Sequence, residues 1–157
     1  MKTSKLCILL AAMLLTAALP TAPARAVDNI TSNDAPDLTS VRAKIKAKDF
    51  KGALAELTPM LATHQHADVY NLMGFSLRKT GDYKQAYTFY RKALDFNPEH
   101  KGALEYLGEL YVETGQVEKA RENVVLLKKL CPGGCEELED LEQAIAAAPK
   151  SNATKVN

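Results

Sequence analysis

One feature limits what this chain can fold into more than any other: a set of residue classes that returns after 34 positions. Between Ala67 and Pro98 the chain carries Tyr70, Met73, Gly74, Leu77, Gly81, Tyr83, Ala86, Tyr90, Ala93 and Pro98. Thirty-four residues on, the same places hold Leu104, Leu107, Gly108, Tyr111, Gly115, Val117, Ala120, Val124, Leu127 and Pro132. Within each unit the apolar residues recur at the three- and four-residue spacing of an amphipathic helix, twice, on either side of a glycine. Each period is therefore expected to be a helix pair, with helices near Asp68 to Lys79 and Tyr83 to Phe96, then Gly102 to Glu113 and Val117 to Leu130. Gly74 with Ala86, and Gly108 with Ala120, put small residues where two helices cross. The stretches 67–100 and 101–134 are two such units, and no stretch has the alternation of a strand.

A 34-residue helix-turn-helix period with these signatures resembles the tetratricopeptide repeat (TPR) family. The resemblance implies an all-α fold, a short α-solenoid in which each unit buries its apolar face only by stacking on the next. It also implies a non-catalytic interaction module whose first helices line a concave groove. Carried over by repeat position, the groove residues of the second repeat are Asp68, Asn71, Phe75, Arg78 and Lys79. Those of the third are Gly102, Glu105, Glu109, Val112 and Glu113, with Arg42 and Lys46 the counterparts in a first repeat. The set named as the partner-binding groove is Asn71, Phe75, Arg78, Lys79, Glu105, Glu109 and Glu113, basic toward the N-terminal half and acidic toward the C-terminal half. The family's Lys and Asn clamp for a terminal carboxylate is missing. A short peptide of opposite charge polarity, anchored on Phe75, is the expected partner.

The flanks read as modified ends of the array. Residues 37–66 form a degenerate repeat: Leu38, Val41 and Ile45, then a turn at Lys48 and Asp49, then Phe50, Ala53, Leu57 and Leu61, with Pro59 inside the second helix. Residues 135–148, with Leu138, Leu141 and Ile145 on one stripe and an acidic first turn, form an expected capping helix. Residues 27–36 and 149–157 are polar, without periodicity, and read as a disordered lead-in and tail.

The first 26 residues have the layout of a secretory signal. Lys2 and Lys5 precede an apolar run from Leu6 to Leu19, and Ala24, Arg25 and Ala26 form a small-residue cleavage site, predicted to be cut before Val27. The run is too short to span a bilayer, so no stable membrane insertion is expected after cleavage. Removing these residues leaves 17 basic and 19 acidic residues. A nearly neutral chain of this kind argues against nucleic acid as a partner. The run from Leu126 to Glu137 is similar to the ending of exported bacterial repeat proteins with a Cys-Pro-x-x-Cys motif, which implies the periplasm.

Chemistry-bearing residues are sparse. Cys131 and Cys135 flank Pro132, Gly133 and Gly134, and three readings of the pair stand side by side. It is a structural disulfide fixing the cap, a redox-active pair with Cys135 at a helix N-terminus, or a soft-metal site. The spacing is similar to that of periplasmic copper-delivery proteins, whose thioredoxin-like fold this sequence does not resemble. A thiol redox or metal-handling accessory protein is thus the alternative function. His64 and His66, and His100 in the next connection, read as solvated loop residues with no evident partner. No phosphate loop or nucleophile elbow occurs. The expectation is no enzyme, no cofactor, no metal and a protein or peptide partner, with the oligomeric state left open.

Overall fold

Apolar stripes at helical spacing, broken at residues able to turn with positive φ, yield seven helices among residues 35–149, which the computed structural model describes. The expected leader (1–26), residues 27–34 of the lead-in and residues 150–157 of the tail lie outside the described residues. In order they are α1 (Thr39–Lys46), α2 (Phe50–Thr63), α3 (Ala67–Lys79), α4 (Tyr83–Phe96), α5 (Lys101–Glu113), α6 (Val117–Leu130) and α7 (Glu136–Ala147). Neighbours in sequence pack as antiparallel hairpins, α3 also touches α5, and α7 lies against both α5 and α6. There is no strand among the described residues.

Local chemistry sets the boundaries. Gly81 and Gly115 take φ of 89° and 75° at the two hairpin turns, a region glycine enters at little steric cost. The first hairpin makes the same turn with Lys48 at φ 59°. The Asp49 carboxylate accepts from the Gly52 amide at 2.9 Å, and that of Asp82 from Gln85 at 3.0 Å, each satisfying an amide the helix leaves open. Pro59 is accommodated inside α2 because it and Ala55, whose carbonyl loses its donor, both face solvent.

The core runs the length of the array. Val41, Ala53, Leu57, Val69, Met73, Leu77, Ala86, Tyr90, Leu104, Leu107, Leu127, Leu138 and Leu141 are among its buried members. Helix crossings use the expected glycines with different neighbours in each repeat. A Cβ on Gly74 would lie 2.7 Å from the Tyr90 ring, whereas one on Gly108 would lie 2.6 Å from the Leu141 side chain of α7. Val124 stands where the second repeat has Tyr90, and the smaller side chain leaves room that the cap fills. Of the pattern residues Tyr70, Leu77, Tyr83 and Tyr90, whose helical spacing implies a core position, Tyr83 is 41% exposed. It opens α4 on the solvent side of the hairpin, and the other three are buried.

Candidate binding groove

The first helices of the repeats, together with α7, bring the family-implied groove positions onto one side, and electrostatics then sorts them into two different groups. Arg78 near the end of α3 is buried, 3% exposed. Its Nη1 donates to Glu113 at 2.8 Å and its Nη2 to Glu109, both on α5. The guanidinium also lies 5.6 Å from the centre of the Phe75 ring and 5.8 Å from that of Tyr106. Burial works against the charge. Tyr90, Glu109 and Glu113 outweigh that cost and hold the group firmly protonated. Three expected ligand contacts are thus engaged with one another, tying the second repeat to the third. The expected division into a basic and an acidic half changes accordingly, because the main cation of one half neutralises two anions of the other.

Phe75 is half-buried, 6.2 Å from Phe50 edge-on and 4.8 Å from Tyr106, with the Lys79 ammonium 5.2 Å above its ring. It is the centre of an aromatic column that crosses from α2 to α5, with part of its surface still open. Lys79 itself is exposed.

The second group has the opposite character. Asn71 and Glu105 occupy the same repeat position, 34 residues apart, and are 5% and 6% exposed. The Asn71 Oδ1 has no hydrogen-bond partner, and no described residue donates to the Glu105 carboxylate. The Asn71 amide nitrogen sits 3.3 Å from where a Cβ on Gly102 would be, one turn before Glu105 on α5. Burial, with Glu109, Asp140 and Glu137 adding repulsion that Arg78 only partly offsets, pushes the Glu105 carboxyl up to about 8.

At the N-terminal ends of α3 and α5 a cavity of about 580 Å³ is lined by His66, Asp68, His100, Lys101, Gly102 and Glu137, among others. His66 and His100, read as solvated loop residues, are caps. Their Nδ1 atoms accept from the Asp68 and Ala103 amides at 3.2 and 3.1 Å. His100 Nε2 meets Asp68 at 2.7 Å, so the histidine expected to be unpartnered joins the two repeats. Asp68 also pairs with Arg42 at 3.7 Å.

Three contributors were not singled out by repeat position: Tyr106, whose ring packs tilted against Phe75, and Glu137 and Asp140 of α7. The signal for Asp140 was available, since adding one further period to Tyr106 lands on it. Cys131 and Cys135 lie with their sulfurs at bonding distance and α-carbons 6.0 Å apart across a turn that Gly134 makes at φ 90°. No group of three or more His, Cys, Asp or Glu among the described residues is arranged to hold a metal, and no helix among them is long and apolar enough to cross a membrane.

Residues 77–125, from the end of α3 into α6, match the tetratricopeptide repeat family. A BBSome complex member, BBS4, from Bos taurus is 34% identical over 80 residues, which covers 51% of this chain and 15% of that protein. The chain therefore spans only a small part of the relative's length. Tetratricopeptide repeats generally mediate protein–protein interaction. That match takes in α4, α5 and most of α6, and the fold is a short all-α solenoid of helix-turn-helix pairs, consistent with tetratricopeptide repeats and closed by a C-terminal helix.

Proposed function

We propose that the chain is an exported, non-catalytic adaptor that docks a protein or peptide segment along the concave face formed by α3, α5 and α7. The observation that carries this reading is the aromatic column of Phe50, Phe75 and Tyr106, still partly open at Phe75 and edged by the exposed Lys79. Buried polar groups in a finished core are satisfied. Asn71 beside that column is buried with an amide oxygen that has no donor. The relative's place in a multiprotein complex, given by its printed name, is in keeping with such a role but names no partner for this chain.

Export is supported by the basic and apolar leader, the Ala-x-Ala site and the close cysteine pair, which suits an oxidising compartment such as the periplasm. Sequencing the N-terminus of the protein recovered from that compartment tests it: a chain starting at Val27 is expected, and an intact Met1 contradicts it.

Docking is tested with variants outside the Arg78 network, because reversing Glu109 and Glu113 would disturb packing as well as the groove. Lys79→Glu and Asp140→Lys change exposed groove positions. The double variant is expected to keep its helicity and melting behaviour while losing a partner that co-purifies with the native chain. Undiminished recovery of that partner would overturn the groove assignment.

A further inference from the structure

We propose that the end of the array is an interface between two copies of this chain, in which α7 of each copy completes the helix pair that α7 of the other begins. Helices α1 to α6 form three antiparallel pairs, and among the described residues α7 has no second helix. It lies on α5 and α6 as α5 lies on α3 and α4, which is the place of the first helix of a fourth pair. Beside it, between α6 and α7, runs a groove of about 1030 Å³. Val117, Val125, Ile145 and Ala146 are among its lining residues. Val125 is 53% exposed, and apolar surface gathered in a groove gains from being covered. None of these four residues belongs to the Phe75 face, so the inference stands apart from the reading of that face as a docking groove.

Register and charge identify the occupant. Glu142 of α7 pairs with Lys128 of α6 at 2.8 Å, which sets the levels of the two helices against each other. They run antiparallel, and Arg121 lies as many residues before Lys128 as Pro149 lies after Glu142. Arg121 and Pro149 therefore stand level, and both line the groove. A two-fold axis passing between Ile145 and Ala146 exchanges the levels of Glu142 and Pro149. Glu142 of the second copy then arrives at Arg121, whose own contact with Glu118, at 3.5 Å, is exposed and contributes little. The charge of the walls agrees. α7 carries five acidic residues and no basic one, while α6 gives the groove Lys119, Arg121 and Lys128 against Glu118. An acidic helix is what that wall attracts. The two-fold also makes α7 and its copy antiparallel, as within every other pair, and sets their acidic first turns at opposite ends.

The test is sedimentation equilibrium of the purified chain from about 1 μM to about 1 mM, a range that brackets a weak to moderate dimer. A monomer–dimer equilibrium is expected. Val125→Glu, at an exposed site, is expected to keep the helicity and thermal midpoint of the parent and to sediment as a monomer. Arg121→Glu and Glu142→Arg are each expected to weaken the dimer about tenfold, because a two-fold interface loses two exposed pairs at once. Combining the two reversals restores opposite charges across the axis and is expected to recover most of that loss. A chain monomeric at every concentration, a dimer undiminished in Val125→Glu, or a double reversal no tighter than the single ones would overturn the assignment. In a monomeric chain, hydrogen-exchange protection of residues 150–157 would give the groove to the chain's own tail. A different protein recovered with that monomer and lost in Val125→Glu would give it to that protein, and either result overturns the dimer. Since Val125, Arg121 and Glu142 lie off the Phe75 face, recovery of a partner docked there is expected to survive all these variants.

Discussion

Glu105 shows most clearly how a single residue can be placed against the stability of its own fold. Between its ordinary value near 4.5 and its raised value of about 8, the folded chain holds a proton that the unfolded chain has lost. Stability contributed by this group is therefore greatest at low pH and falls as pH rises through that window, by about 1.4 kcal/mol for each unit of the rise. Glu105→Gln is expected to be more stable than the parent by about 1 to 3 kcal/mol at pH 9 and to match it near pH 5. Urea titrations at the two pH values check this, and a gain of the same size at both would show that the effect is not protonation. The glycines at helix crossings are constrained alike. A methyl on Gly74 meets the buried Tyr90 ring at 2.7 Å, and one on Gly108 meets the equally buried Leu141 side chain of α7 at 2.6 Å. Gly74→Ala and Gly108→Ala are each expected to cost about 1 to 3 kcal/mol, the first loosening α3 against α4 and the second α5 against the cap. At the first turn Lys48 holds φ at 59°, and Lys48→Gly should raise stability by up to about 1 kcal/mol, read as a higher thermal midpoint.

Among the elements, α7 does work that the repeat pattern only partly discloses. Its stripe of Leu138, Leu141 and Ile145 was legible because it continues the helical spacing of the repeats. Its second contribution, turning Glu137 and Asp140 toward the charge around Glu105, was not, because it depends on the rotation of a lone helix about its axis. The Cys131 to Cys135 connection sets where that helix starts. Closing a loop this short is worth about 2 kcal/mol by chain entropy. Reduction, or Cys131→Ser with Cys135→Ser, should lower stability by that amount and loosen hydrogen-exchange protection first in α7. Uniform loss across α3 to α6 would contradict an end staple. The Arg78 network was illegible for a related reason. Repeat positions say which face a residue occupies and nothing about how far a long side chain reaches, so residues assigned to a ligand turned out to hold each other. The histidine caps were missed because loop position alone does not reveal an imidazole folded back onto the next helix.

At the scale of the whole molecule, stability passes from repeat to repeat through a few crossings, and Arg78 is the most concentrated of them. It joins α3 to α5 by two carboxylates and the Tyr106 ring, with Phe75 of its own helix beside it. Arg78→Met is expected to cost about 2 kcal/mol, and Arg78→Lys to recover less than half of that, since an ammonium cannot fork between two carboxylates or stack in the same way. Equal stability of the lysine variant and the parent would argue against the fork. This internal pairing leaves Lys79 and the open edge of Phe75 as the surface offered to a partner. The most direct test of that account is site-specific photo-crosslinking in the native compartment, with the reactive group at Lys79 in the groove or at Lys84 on the outer helix. The account predicts a discrete protein adduct from Lys79, diminished by Asp140→Lys, and none from Lys84. Adducts from Lys84 alone, or the same adducts from both positions, would contradict it.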